Sequence, residues 1–204
     1  MPDQPIFVTG IGTGIGKTVV SAVLTEKLKA DYWKPIQSGD LDSSDTLKVK
    51  SLVSNDTTVF HPETYGLTQP YSPHKSARID GIEIDEEKFV IPHTNNQLII
   101  EGAGGLMVPL NDHFLIIDLI KQLDAEVVLV SQNYLGSINH TLLSVLALKQ
   151  YGIDIKGIIF NGDLEPDSES YILQYTGAKL LGHLPELKEL NKQEIVDAGS
   201  YITL

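Results

Sequence analysis

The chain has 204 residues, 42% of them hydrophobic, a size and apolar content that suit one sizeable α/β domain over residues 1–204. Its net charge is −12 and Arg78 is its single arginine, so it lacks the basic surface that nucleic-acid backbones demand. Cysteine is absent, which excludes disulfides and thiolate metal sites, and no apolar stretch approaches 18 residues. We therefore expect a cytoplasmic protein that binds neither nucleic acid nor a membrane.

The first predicted element is a buried strand at residues 6–8, followed by a glycine-rich turn and a helix that begins near Lys17. The turn carries four glycines, Gly10, Gly12, Gly14 and Gly16. Because glycine has no side chain, backbone N–H groups can close around phosphate oxygens at the positive end of the helix dipole. Lys17 would then neutralise the terminal phosphates, and the Thr18 hydroxyl would bind the Mg²⁺ that bridges them. The stretch predicts a phosphate-binding loop.

This loop differs from the common phosphate loop in its length. Five residues separate Gly10 from Gly16-Lys17-Thr18, whereas the common motif has four and would need a glycine at Ile11. The dinucleotide-binding fingerprint fails as well, because no glycine lies three residues after Gly12 or Gly14. The pattern indicates a variant phosphate loop.

A second strand is predicted at residues 31–36, and it ends near Lys34-Pro35 because proline holds the preceding residue extended. Taken alone, Lys34 is typical of an ordinary solvated surface lysine. In open α/β sheets, however, ligands gather at the carboxyl ends of the strands. At that edge Lys34 and Ser38 would face the same crevice as Lys17.

Residues 41–54 predict a loop capped by Ser43 or Ser44 and then a short helix with Asp45 in its first turn. A carboxylate at that position either complements the helix dipole or binds magnesium. Between residues 55 and 96 the pattern favours a strand at 57–61, a proline-stiffened loop at 69–74 and a helix at 85–91. It assigns chemistry to none of these three segments.

The sequence QLIIEGAGGLMVP at residues 97–109 predicts a buried strand that ends at Glu101 and runs into a glycine-rich turn. A glutamate at such a place either caps a neighbouring helix or binds a metal. Hard Mg²⁺ prefers carboxylate and hydroxyl oxygens, and Thr18, Asp45 and Glu101 supply such a set. We favour the magnesium site because the phosphate loop lies at the same edge.

Further strands are predicted at residues 126–131, 155–161 and 180–184, with a turn at 135–137 and an amphipathic helix at 138–150. Ser137 is an acceptable cap for that helix. Asn161, at a strand end, either caps a turn or contacts a ligand. Alternating strands and helices predict an α/β fold, a single-domain parallel sheet flanked by helices, of the phosphate-loop NTPase type.

Seven short motifs occur in order along the chain: VTGIGTGIGKT, WKPIQSG, SSD, SPH, EGAGGLMVPL, LGSINH and IIFNG. Together they resemble the ATP-dependent dethiobiotin synthetase family over about residues 6–187, and the longer phosphate loop is similar to that family too. The resemblance implies a homodimeric ligase of biotin biosynthesis. Such a ligase closes 7,8-diaminopelargonate with CO₂ and MgATP into dethiobiotin, ADP and phosphate, through a carbamate that is phosphorylated and attacked by the second amine.

The resemblance also implies roles for residues at matching positions. Catalytic residues would be Lys17, Lys34 and Thr13. Substrate contacts would come from Ser38 and, near the dimer interface, from Gly136, Ser137, Asn139 and Tyr171, although Tyr171 is equally suited to packing. ATP contacts would come from Gly14, Ile15, Gly16, Lys17, Thr18, Val19, Asp45, Glu101, Gly102, Ala103, Gly104, Asn161, Gly162, Pro185, Glu186 and Leu187. The magnesium ligands would be Thr18, Asp45 and Glu101.

The chain departs from the family pattern at Gly14, where an acidic residue is common, and in a shorter stretch between Gly39 and Asp45. Two other functions fit the loop: a regulatory ATPase switch acting on a protein partner, and a related ATP-dependent ligase with another substrate. A switch of that class tends to carry a lysine where this chain has Gly12. A GTPase is disfavoured, because Asn191-Lys192 is not followed by the x-Asp that guanine recognition uses.

Overall fold

The structure is a computed structural model that describes residues 4–204. Within that range the strands are β1 (Ile6–Gly10), β2 (Asp31–Trp33), β3 (Ile36–Ser38), β4 (Phe60–His61), β5 (Tyr65–Leu67), β6 (Leu98–Gly105), β7 (Glu126–Gln132), β8 (Ile155–Asn161) and β9 (Leu180–Leu184). The α-helices are α1 (Lys17–Leu28), α2 (Asp45–Leu52), α3 (Pro73–Asp80), α4 (Ile116–Gln122), α5 (Ser137–Tyr151), α6 (Pro166–Thr176) and α7 (Lys192–Ala198). No helix of the described chain is long and apolar enough to cross a membrane.

Seven strands form one parallel sheet in the order β4-β2-β6-β1-β7-β8-β9, and β3 pairs with β5 in a small parallel ribbon. Non-consecutive neighbours require crossover connections, which the helices supply. Since parallel strands share a direction, their carboxyl ends meet at one edge, where ligands of such sheets bind. The predicted parallel α/β sheet flanked by helices is therefore confirmed.

Both faces of the sheet are covered, which explains why its strands are mainly apolar. Successive side chains of a strand point to opposite faces, so Phe7 belongs to one core while Ile6 and Val8 belong to the other. The first core packs against α4, α5 and α6, and the second against α1, α2 and α7. Both faces of β1 are thus packed against a core, and the loop after β1 starts from a fixed point.

The predicted strand at residues 31–36 is wrong in one respect, because it is two strands in two sheets. β2 stops at Trp33, and β3 begins at Ile36 and pairs with β5. Pro35 lies between them, and proline has no N–H with which to continue a central strand. The break leaves Lys34 at the carboxyl end of β2.

Three other boundaries differ from the predictions. The loop predicted at 69–74 gives way to α3 at Pro73, a residue suited to a first helical turn. The helix predicted at 85–91 is only a 3₁₀ turn at Glu86–Lys88, since Pro92 follows and Phe89 turns into the core. β6 does not end at Glu101 but continues to Gly105, which pairs with Gly10 of β1.

Candidate active site

A crevice of about 580 Å³ opens at the carboxyl edge of the sheet. It brings together most of the predicted site residues, namely Thr13, Gly14, Gly16, Lys17, Thr18, Lys34, Ser38, Asp45, Glu101, Gly102, Ala103 and Gly104. A cavity of similar volume, about 620 Å³, lies between α3 and residues 82–88, away from the glycine loop. The predicted site residues are therefore concentrated in the crevice at the edge of the sheet.

The glycine loop turns sharply into α1 at Gly16. Gly16 has φ 92°, a left-handed conformation, and a β-carbon there would lie 2.2 Å from the side-chain nitrogen of Asn161. Asn161 donates its amide hydrogen to the carbonyl of Ile15 at 3.0 Å, so the end of β8 braces the loop. Within residues 4–204 no side chain caps α1, and the first turn of this helix carries no acidic residue. Its first N–H groups are thus available to an anion.

Lys17 is held inside this loop. Its Nζ donates to the carbonyl of Gly12 at 2.8 Å, and the residue is only 8% exposed. Burial lowers the pKa of Lys17 to about 8, although the carboxylate of Glu101 acts in the opposite direction. Among the described residues Lys17 forms no ion pair within 4.0 Å. Its charge is therefore directed at the crevice and is only partly compensated.

Lys34 is the second buried cation of the crevice, and carboxylates surround it. Its Nζ lies 2.8 Å from Asp45 and 3.3 Å from Glu101, and it also donates to the carbonyl of Gly102. Burial by itself lowers the pKa of Lys34, but Glu101 and Asp45 outweigh it and raise the pKa above its ordinary value. Burial likewise raises the pKa of Asp45, but Lys34 outweighs it and the net shift is downward. Lys34 is thus a permanent positive charge.

Glu101 lies at the centre of the cluster, with only 1% of its surface exposed. Its Oε1 accepts hydrogen bonds from the Thr18 hydroxyl at 2.8 Å and from Lys34 at 3.3 Å. Its Oε2 accepts one from the hydroxyl of Tyr32 at 2.9 Å. Burial, and then the charge of Glu101, raises the pKa of Tyr32 well above its ordinary value. Glu101 therefore faces the crevice, and among the described residues its carboxylate accepts no hydrogen bond from a backbone N–H at a helix end.

The oxygen donors of this cluster suit a hard divalent cation. The Thr18 hydroxyl contacts Glu101 directly, and the ammonium of Lys34 links the Glu101 and Asp45 carboxylates. Across residues 4–204 no group of three or more His, Cys, Asp and Glu side chains could by itself hold a metal. Mg²⁺ fits such a partial set, because it usually keeps several waters and binds to one or two carboxylates together with substrate phosphates.

Asp45 occupies the first turn of α2, as predicted, and a neighbour does the capping. Ser44 is the N-cap, and its hydroxyl accepts a hydrogen bond from the N–H of Leu47. The carboxylate of Asp45 is consequently free to pair with Lys34 on one oxygen and with Lys48, at 3.4 Å, on the other. The Asp45 carboxylate therefore complements the dipole of α2 and also pairs with Lys34 in the crevice.

Ser38 and residues 70–73 line another part of the crevice. The Ser38 hydroxyl is buried and has no hydrogen-bond partner among the described residues, which is unusual for a buried polar group and suits a ligand contact. Residues 70–73 border this part, and the sequence patterns assigned them no chemistry. The turn made by Pro70 and Tyr71 is near in space but remote in sequence, so no local pattern could place it there.

Gly162 and residues 185–187 follow β8 and β9, at the same edge of the sheet as the phosphate loop. The ring of His183 donates from Nε2 to the carbonyl of Gly162 at 2.8 Å. Its Nδ1 lies 3.2 Å from the buried carboxylate of Glu169. Through His183, the loop after β8 is tied to both β9 and α6.

The other four predicted substrate residues, Gly136, Ser137, Asn139 and Tyr171, are not among the residues that line the crevice of their own chain. The expectation that Ser137 caps α5 is wrong: Gly136, with φ 106°, is the N-cap, and Ser137 is the first helical residue. Tyr171 lies on the exposed side of α6 with its ring stacked on Tyr175, so it is not a core residue.

Solved structures share this fold. They include MinD from Pyrococcus horikoshii complexed with Mg-ADP, with a TM-score of 0.61 and 16% identity over 97% of this chain and 86% of that one. A ParA family ATPase from Chlorobium tepidum has a TM-score of 0.59 and 13% identity over 98% and 100%. At such identities the likeness establishes the fold alone. Residues 4–194 also match the family described as an AAA domain, so the chain is a nucleotide-binding protein of the phosphate-loop class.

Curated relatives are much closer in sequence. ATP-dependent dethiobiotin synthetase BioD of Christiangramia forsetii is 56% identical over 88% of this chain and 86% of that protein. The synthetase of the same name from Cytophaga hutchinsonii is 50% identical over 93% and 92%. The chain belongs to the ATP-dependent dethiobiotin synthetase family, and the resemblance in its motifs is confirmed.

Proposed function

We propose that this chain closes 7,8-diaminopelargonate with CO₂ and ATP into dethiobiotin, ADP and phosphate, as one catalytic domain of a cytoplasmic homodimer. The observation that carries the proposal is the pair of buried lysines, Lys17 and Lys34, in one crevice with Glu101. A phosphate loop needs one lysine for its nucleotide. The second buried cation suits a reaction in which a further anion, the carbamate, meets the γ-phosphate.

The reaction balances in three steps. An unprotonated amine of the substrate adds to CO₂, which forms an N–C bond and releases a proton to give the carbamate. A carbamate oxygen then attacks the γ-phosphorus, and the bond from that phosphorus to ADP breaks. Finally the second amine attacks the carbamate carbon and loses a proton to solvent, and phosphate leaves with the former carbamate oxygen, which closes the ureido ring. Lys34 stabilises the carbamate and Lys17 the transferring phosphoryl group, because fixed charges act where negative charge develops.

Mg²⁺ would be held by Thr18, Asp45 and Glu101, and when bound it would neutralise charge on the β- and γ-phosphates. N–H groups from Gly14 to Val19 would cradle those phosphates. Adenine contacts would come from Asn161 and residues 185–187 at the same edge of the sheet. At the other end, Thr13 and the Ser38 hydroxyl, which has no hydrogen-bond partner among the described residues, would hold the reacting end of the diamine.

The proposal of a homodimer is supported by apolar side chains that the described chain leaves exposed. Leu135 is fully exposed before α5, and Leu143 and Leu146 on α5 are each more than half exposed. Tyr171 is exposed on α6, which packs beside α5. A second copy covering this surface would bury it and bring Gly136, Ser137, Asn139 and Tyr171 towards the partner's crevice, where the substrate carboxylate would meet the N-terminus of α5.

The experiment that tests the function is ADP release with MgATP and bicarbonate, with and without 7,8-diaminopelargonate, followed by mass detection of dethiobiotin. We expect turnover that requires the diamine and yields that product. Slow ATP hydrolysis that ignores the diamine would contradict the proposal and favour a switch acting on a protein partner. Turnover with a different acid or amine would point to a related ligase.

Thr18→Val tests the magnesium assignment. Valine keeps the shape but removes the hydroxyl, so we expect affinity for an imido analogue of ATP to fall by about 10-fold with Mg²⁺ and to stay unchanged in EDTA. Isothermal titration calorimetry measures both. Thr25→Val is the matched control, because Thr25 lies on the same helix with a buried hydroxyl that has no partner among the described residues. Equal metal dependence in Thr18→Val and the parent protein would refute the assignment.

A further inference from the structure

The two oxygens of Glu101 have different environments. Oε1 meets the Thr18 hydroxyl and the Lys34 ammonium, both of which line the crevice. Oε2 points the other way and meets only the Tyr32 hydroxyl among the described side chains. One oxygen of the carboxylate, Oε1, therefore faces the crevice, and the other, Oε2, is hydrogen-bonded in the core.

Tyr32 is a rigid anchor. It lies in the middle of β2, whose neighbours β6 and β4 pair with it at Ile99 and Phe60. Its side chain is fully buried, and its ring lies 6.0 Å from that of Phe60. The Tyr32 hydroxyl has little freedom to move, because its strand is paired on both sides and its ring is fully buried. Its hydrogen bond therefore fixes the position of the Glu101 carboxylate.

An anchored Oε2 limits how Glu101 can bind a cation. Because Oε2 is directed at Tyr32, which does not line the crevice, Glu101 presents only Oε1 to a metal bound there. Mg²⁺ demands near-octahedral geometry with short single-oxygen bonds, whereas Ca²⁺ takes more ligands and accepts both oxygens of one carboxylate. A glutamate restricted to one oxygen therefore favours the smaller ion.

From this geometry we infer that Tyr32 is a positioning residue that makes the nucleotide site select Mg²⁺ over Ca²⁺, by holding Glu101 in single-oxygen coordination. The inference rests on the proposed metal–nucleotide site. It adds a determinant of metal specificity that lies outside the phosphate loop, in the core of the sheet. Partners in the second layer of a metal site orient its ligands in this way.

The test compares Tyr32→Phe with the parent protein by calorimetric titration of the imido analogue of ATP in the presence of Mg²⁺, of Ca²⁺ or of EDTA. Phenylalanine keeps the buried ring and removes only the hydroxyl. We expect affinity with Mg²⁺ to fall by about 10-fold or more. Affinity with Ca²⁺ should stay the same or rise, and the EDTA value should not change.

Phe60→Leu is the control for packing, because it loosens the ring contact of Tyr32 and keeps its hydroxyl. It should lower the melting temperature without changing the ratio of the Mg²⁺ and Ca²⁺ affinities. If Tyr32→Phe changes the two affinities by the same factor, or changes neither, the inference is wrong. The assay measures binding only, so a parent protein that makes no dethiobiotin would contradict the proposed function while this comparison still decides the role of Tyr32.

Discussion

Lys34→Ala is expected to lower turnover by about 10³-fold while MgATP affinity stays within a few-fold. The Lys34 ammonium is buried against Asp45 and Glu101 and lies beyond the phosphate loop, so its charge acts on the carbamate and the transition state more than on bound nucleotide. The oxygen donors for Mg²⁺ remain in the variant. Steady-state kinetics with the diamine gives kcat, and calorimetry gives the nucleotide affinity.

Lys48→Ala is the matched control for Lys34→Ala. Lys48 pairs with the other oxygen of Asp45, but about half of its side chain is exposed, and such surface pairs contribute little. We expect its kcat to equal that of the parent protein. Circular dichroism would establish that Lys34→Ala remains folded, since removing one member of a buried ion pair is destabilising. A parallel loss of nucleotide affinity and turnover in Lys34→Ala would contradict the role given to Lys34.

Lys17→Ala is expected to impair the binding of MgATP, which precedes the chemical steps that Lys34→Ala impairs. The Lys17 ammonium closes the loop onto the carbonyl of Gly12 and has no carboxylate partner within 4.0 Å in the described chain, so the terminal phosphates of ATP are its natural counter-ion. Loss of a charge-assisted contact of this kind should weaken MgATP binding by about 10- to 100-fold and lower turnover as well. Calorimetric titration of the imido analogue of ATP measures the first effect.

Lys27→Ala controls for the loss of a lysine from α1. Lys27 lies in the last turn of the same helix, and its Nζ also donates to a backbone carbonyl at 2.8 Å, that of Gly199, but far from the crevice. It should bind MgATP normally. Normal MgATP affinity in Lys17→Ala would contradict the assignment of the phosphate loop. The two active-site variants together separate binding from chemistry.

Local patterns predicted the phosphate loop and the parallel sheet well, because each depends on residues adjacent in sequence. Strand, glycines, lysine and helix follow one another without interruption from Ile6 to Leu28. The rule that ligands gather at strand ends then predicted that Lys34 and Glu101 lie near Lys17. In the structure Lys34 and Glu101 form an ion pair, and both line the same crevice as Lys17.

The residues that the sequence patterns missed at the site share one cause, which is contact between residues remote in sequence. Tyr32 has the pattern of an ordinary strand residue, and its role depends on Glu101, 69 positions away. The turn at Pro70 closes the crevice for the same reason. Spacing gave one missed signal: Tyr32 lies two residues before Lys34 in an extended segment, and both reach the same carboxylate.

The four predicted substrate residues near α5 and α6 do not line the crevice of their own chain. Neither the sequence patterns nor the structure of a single chain therefore shows which crevice they would serve. Ser137 also shows the limit of propensity. Serine is a good N-cap, yet Gly136 takes that position with φ 106°, which glycine adopts without strain.

The phosphorylated carbamate is tested by incubating the protein with MgATP, 7,8-diaminopelargonate and ¹⁸O-labelled CO₂, and following the label by mass spectrometry before it exchanges with water. A phosphorylated carbamate keeps one oxygen of CO₂ in the ureido carbonyl and loses the other to phosphate. We therefore expect labelled dethiobiotin, phosphate with a single ¹⁸O, and equal amounts of dethiobiotin and ADP. Unlabelled phosphate, or ADP formed without the diamine, would contradict ring closure through a phosphorylated carbamate.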